Sequence, residues 1–115
     1  MQKRLLESLG YTVTAYSDAS GALELFKEDP ARFDLIITDM IMPGMTGKEL
    51  AVLAMQLRED LPIILCTGYT ELITEEQALS LGITEFLVKP YTTGDIARAL
   101  RRALDSRASR ELRSP

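Results

Sequence analysis

The 115-residue sequence has no histidine and no tryptophan, one cysteine, and only 6% aromatic residues. The absence of histidine excludes Ser-His and Cys-His nucleophilic arrangements and His-ligated zinc sites. A single cysteine forbids an internal disulfide; Cys66 lies in an apolar run and reads as a small core residue in a reducing cytoplasm. The apolar runs are short, as at 35–38, and none approaches the roughly 20 residues of a membrane helix. The first residues do not form a basic-then-apolar leader, so a cytoplasmic location is expected. No glycine-rich strand-to-helix loop suggests a nucleotide cofactor. What remains is 46% hydrophobic and 26% charged, the balance of one ordinary globular domain.

The net charge of −4 is unevenly spread. Residues 1–97 hold 7 Lys/Arg against 15 Asp/Glu, whereas residues 98–115 hold 6 Arg against 2 acids. An acidic body repels phosphate backbones, so direct nucleic-acid binding is not expected, and neither is a membrane partner. The arginine-rich end reads as a solvated helix face.

Short apolar runs alternate with longer amphipathic stretches, without repeats. Leu5, Leu6 and Leu9 share a helical face ahead of Gly10, a helix-ending residue. The stretch 11–16 alternates and is rich in Thr, Val and Tyr, which predicts a strand. Asp18 caps a helix with Ala22, Leu23, Leu25 and Phe26 inward, stopped at Asp29-Pro30. The run 33–38 predicts a strand covered on both faces. A turn at 42–45 leads to Thr46-x-x-Glu49, a capping box for a helix reaching Arg58. Ile63–Cys66 predicts a second buried strand, Thr74-x-x-Gln77 a short helix ending at Leu81-Gly82, and Phe86–Val88 a last strand. Thr92 or Thr93 then opens a helix carrying Ile96, Ala97, Leu100, Ala103 and Leu104. Strict helix–strand alternation implies a layered α/β fold on a parallel sheet.

Ligands of such sheets gather at the carboxyl ends of the strands. Asp39, Thr67 and Lys89 each follow an apolar run, so each stands at that edge. Any one of them alone would be an ordinary turn or capping residue. Together, a carboxylate nucleophile, a hydroxyl and an ammonium suit a phosphoryl group.

The segments Asp34–Gly47 (DLIITDMIMPGMTG) and Gly82–Tyr91 (GITEFLVKPY) resemble the receiver domains of two-component response regulators, and the similarity runs through residues 1–104. The resemblance implies a flavodoxin-like, doubly wound sheet of strand order 2-1-3-4-5, with 105–115 as a polar, Arg-rich tail. It implies that Asp39 accepts a phosphoryl group from a sensor histidine kinase or phosphotransfer protein. Thr67 would hold the phosphate, Lys89 would pair with it, and Phe86 would be the aromatic switch residue. Ile41 would offer its backbone carbonyl, beside Asp39, to a magnesium ion. The Lys89-Pro90 bond would be cis. Such a domain is a phosphoacceptor switch, not an enzyme with a separate substrate, and it serves either as a stand-alone regulator or as the receiver of a hybrid kinase.

Receivers also carry a first strand ending in an acidic pair that holds the metal. Met1 corresponds to a point inside their first helix, so the strand and the pair are expected to be missing from these 115 residues. Magnesium, which prefers six oxygen ligands, is then expected to bind weakly or not at all. The gap is expected to be filled by preceding residues, by strand exchange in a homodimer, or by re-pairing of the flanking strands. A phosphorylation-independent interaction module is the alternative function. A phosphatase or dehalogenase with an Asp nucleophile is disfavoured, because such enzymes want a second acid where Ile41 stands. Met40, Met42 and Met45 read as loop packing, and Gly44 and Gly47 as serving the turn and the start of the helix. Gly68 leaves room for a phosphoryl group. Tyr69 reads equally as a gate against water and as a surface aromatic.

Overall fold

In the computed structural model, which describes residues 2–12, 14, 18–41, 45–68 and 73–113, three apolar runs become parallel strands. They are β1 (Ile36–Asp39), β2 (Ile63–Thr67) and β3 (Glu85–Val88), in the order β1-β2-β3 among the described residues. Ile36 lies opposite Ile63 and Asp39 opposite Cys66; Ile64 lies opposite Glu85 and Thr67 opposite Val88. β2 is buried along its whole length, as a run with no polar alternation requires when helices cover both faces of a sheet.

Five helices supply the cover: α1 (Gln2–Ser8), α2 (Ala19–Glu28), α3 (Gly47–Leu57), α4 (Glu75–Ser80) and α5 (Thr93–Arg113). Ile63 and Leu65 pack on one side with Phe26, Ala54 and Ala78 of α2, α3 and α4. Ile64 and Cys66 pack on the other with Leu6 of α1 and with Ile96, Ala99, Leu100 and Ala103 of α5. The 96, 99, 100, 103 stripe has true helical spacing, so Ala99 is buried and Ala97 only half-buried.

Helix ends follow the local chemistry. Asp18 accepts from the Gly21 amide at the start of α2. Thr46/Glu49 and Thr74/Gln77 form reciprocal capping boxes on α3 and α4. Thr92 and Asp95 bond in the same reciprocal manner ahead of α5. Gly10 and Gly82 follow α1 and α4 with φ of 97° and 101°, the left-handed region in which a Cβ would be strained. Arg58 donates to the carbonyls of Pro30 and Phe33, tying the end of α3 to the 3-10 turn Pro30–Arg32.

Two expectations are corrected. Tyr11, Thr12 and Thr14 are in no strand, so the strand expected over 11–16 is not seen; Val13, Ala15 and Tyr16 lie outside the described residues. β1 begins at Ile36 instead of Phe33, and Ile36 and Ile37 are only half-buried because β1 pairs with β2 on one side alone among the described residues. α5 continues through the arginine-rich segment to Arg113.

Gly47 sets how closely α3 approaches β1. Its amide donates to the Met40 carbonyl at 2.8 Å. A Cβ at this position would overlap the Asp39 carbonyl oxygen and lie 2.8 Å from Leu65 Cδ1. Backbone cannot yield as a flexible side chain does, so Gly47→Ala is expected to cost about 1–3 kcal/mol. Urea denaturation measures the loss, and the amide resonances of Asp39 and Met40 should shift with it.

Candidate functional site

The parallel register carries three polar residues to one edge of the sheet. Asp39 ends β1 beside Cys66, and Thr67 ends β2 one residue further on. Lys89 follows β3 directly, its amide donating to the Thr67 carbonyl at 2.8 Å. The Met40 amide donates to the Cys66 carbonyl at the same distance, so the three strand ends stay level.

Side-chain alternation then distributes the groups between the faces. Leu35, Ile37, Cys66 and Leu87 pack on the α1/α5 side, and Asp39 and Lys89 share their parity. Their side chains meet: Lys89 Nζ lies 3.3 Å from Asp39 Oδ1, with the two side chains 49% and 44% exposed. Thr67 has the parity of Ile63 and Leu65 on the other face and is buried. A half-exposed carboxylate beside an ammonium, with a hydroxyl on the next strand, is a place where an anionic group from solvent can be received. The ion pair itself contributes little to stability at such exposure.

The remaining expected residues fall around this edge. Ile41 is exposed, two residues beyond Asp39. Phe86 is half-buried against the Ile63–Leu65 side of the core. A Cβ at Gly68 would meet only Lys89 Cβ, at 3.9 Å, so the backbone there is open. The Lys89-Pro90 peptide bond is cis. Tyr69, Met42, Pro43 and Gly44 lie outside the described residues. Among the described residues no group of three His, Cys, Asp or Glu side chains is placed to hold a metal ion. Asp39 and one carbonyl fall well short of the oxygen set magnesium prefers, so the residues present do not fit a magnesium site.

The sequence reading missed the layer beneath the ion pair. Cys66 and Tyr91 are hydrogen-bonded to each other, and Tyr91 packs with the α1/α5 side of the core. Burial pushes the Cys66 thiol up to about 11 from 9.0, while the Tyr91 hydroxyl and the Lys89 charge pull the other way. Burial raises the Tyr91 phenol too, with the Cys66 charge as the next cause. It also missed Gly47 as a contact of the Asp39 carbonyl. The available signal was a glycine at the first position of a capped helix, where most residues serve.

Both raised groups hold their protons longer in the folded protein than in the unfolded chain. Stability is therefore complete below pH 9 and falls as pH rises through about 11, with a slope of up to about 1.4 kcal/mol per pH unit for the thiol. Cys66→Ala should flatten the urea-derived stability curve between pH 9 and 10, where the thiol of the unfolded chain titrates ahead of tyrosine.

Comparison with known proteins accords with this geometry. The family "Response regulator receiver domain" matches residues 1–101. The C4-dicarboxylate transport transcriptional regulatory protein DctD of Rhizobium meliloti (strain 1021) is 34% identical over 105 residues, covering 91% of this chain. The chain spans only 22% of that regulator's length. Among solved structures, a receiver domain protein from Clostridium thermocellum aligns with a TM-score of 0.86 and 30% identity, over 92% of this chain and 84% of that one. The receiver domain of sensor histidine kinase PA1611 from Pseudomonas aeruginosa PAO1, described with a magnesium ion coordinated in its active-site cleft, aligns with a TM-score of 0.77 and 27% identity, over 90% and 84%. The α/β sheet and its helices thus have the flavodoxin-like arrangement of these neighbours, and the chain belongs to the receiver-domain family of two-component response regulators.

Proposed function

We propose that residues 1–104 act as a phosphoacceptor switch, with Asp39 as the acceptor. The observation that supports this most is the half-exposed Asp39–Lys89 pair at the carboxyl edge of the sheet. An Asp39 carboxylate oxygen attacks the phosphorus of a phosphohistidine on a histidine kinase or phosphotransfer protein. The new P–O bond forms as the P–N bond breaks, and the imidazole leaves with a proton from water. Formation of the acyl phosphate removes the carboxylate charge that Lys89 pairs with, so the ammonium transfers to the phosphoryl oxygens, where about −1.5 to −2 charges now sit. The Thr67 hydroxyl takes another of those oxygens, and Gly68 leaves them backbone space.

Thr67 is buried, and reaching the phosphoryl group draws it toward the edge. Phe86, on the neighbouring strand and on the same face, moves into the room left behind. The face formed by α4, β3 and α5 then changes its affinity for a partner, which makes this a signalling switch and not an enzyme with a substrate of its own. A cytoplasmic setting, where histidine kinases present their phosphoryl groups, fits the reading; no described helix is long and apolar enough to cross a membrane. No step is assigned to magnesium, which this set of residues does not fit.

Incubation with acetyl phosphate, followed by measurement of acid-labile phosphate, tests the assignment. The wild-type chain should be labelled and Asp39→Asn should fall to background, because an amide is not a nucleophile of this kind. Lys89→Ala should keep part of the label and lose the change in amide resonances around Phe86. Undiminished labelling of Asp39→Asn would show that another residue is the acceptor.

A further inference from the structure

The Asp39–Lys89 pair is only as well placed as the segment that carries Lys89. That residue stands just beyond β3, with its amide tied to the Thr67 carbonyl at 2.8 Å. Pro90 follows and has no amide to donate. Thr92 and Asp95 then form the cap of α5. Of residues 89–92, Tyr91 alone is packed into the core, on the cluster that holds Cys66, Ile96 and Leu100; the other three are exposed. The bond between Tyr91 and Cys66 favours the thiolate and disfavours the phenolate, so the Tyr91 hydroxyl is the donor and the Cys66 sulfur the acceptor. Cys66 and Thr67 are consecutive residues of β2, a strand buried along its whole length. Lys89 is thus bracketed by two ties to one rigid strand: its own amide on Thr67, and the side chain two residues later on Cys66. A half-buried phenol can bond water instead; directing it at a sulfur with no solvent exposure commits the segment to one place.

We propose that Tyr91 is a positioning residue for Lys89: through its hydrogen bond to Cys66 it holds the 89–91 segment where the ammonium meets Asp39 and, after transfer, the phosphoryl oxygens. The part that concerns phosphoryl transfer rests on the reading of Asp39 as the acceptor. Phenylalanine at this position fills the same core space and loses only the tie. Lys89 then keeps its amide bond to Thr67, but its ammonium, on a side chain 49% exposed, spreads over more orientations around Asp39. Collecting a long side chain into one orientation costs conformational entropy, and a backbone held at both ends lowers that cost. A hydroxyl that served only to satisfy polar groups in the core would affect folding and leave Lys89 as it is.

Tyr91→Phe in the intact chain is the test, read in two ways. Without any phosphoryl donor, the nitrogen resonance of the Lys89 ammonium, assigned by its loss in Lys89→Ala, is expected to move, and Cys66→Ala should move it in the same direction. With acetyl phosphate, Tyr91→Phe should lower the rate of labelling about three- to tenfold, the scale of one hydrogen bond. In a Lys89→Ala background the same substitution should change labelling less than about twofold, because no ammonium is left to place. An unmoved ammonium resonance in Tyr91→Phe, or one that Cys66→Ala leaves unmoved, overturns the proposal. So does an equal loss of labelling in both backgrounds, which is the behaviour of a purely structural hydroxyl. The resonance is read on the unphosphorylated chain, so it decides the placement of Lys89 even where Asp39→Asn shows that the acceptor lies elsewhere.

Discussion

Parallel hydrogen bonding of β2 to both neighbours is the constraint on which everything else depends. It fixes which residue of each strand reaches the carboxyl edge, and therefore which side chains can meet there. Asp39 and Lys89 are fifty residues apart in sequence, one ending β1 and the other following β3, strands that do not pair with each other. They meet because β2 holds both strands in register and because both residues share the parity of its Cys66. A shift of one residue in either pairing would turn one partner to the opposite face. The buried apolar side chains of β2 lock that register from both sides.

Much of this was legible in the sequence where the chemistry is local. The Thr46/Glu49 and Thr74/Gln77 boxes are spelled out over four residues each, and both appear as expected. The continuous run at 63–66 can only be a strand covered on two faces, and it is. The family resemblance at 34–47 and 82–91 led to the correct family and fold. What was not legible depends on tertiary neighbours. The run at 33–38 reads like 63–66, yet Ile36 and Ile37 stay half-buried, because the composition of a strand does not tell whether a neighbour lies on each side. The Cys66–Tyr91 pair joins a strand residue to a loop residue 25 positions later, and no local pattern announces it.

The layer of Cys66 and Tyr91 also gives the ion pair its setting. The two neutral groups lie on the α1/α5 side beneath Asp39 and Lys89, and their burial keeps them protonated through the physiological range. Asp39 raises the Cys66 thiol and Lys89 lowers it, while both side chains stay about half exposed at the solvent boundary.

On the proposed function, the phosphoryl acceptor is the carboxylate that this register presents beside Lys89. Borohydride reduction after acetyl phosphate treatment tests it most directly, because an aspartyl phosphate is reduced to homoserine and marks its own position. Peptide mapping by mass spectrometry should find homoserine at position 39 and at no other acidic residue. Homoserine at Asp34 or Asp60 with Asp39 intact, or none at all, would contradict the account.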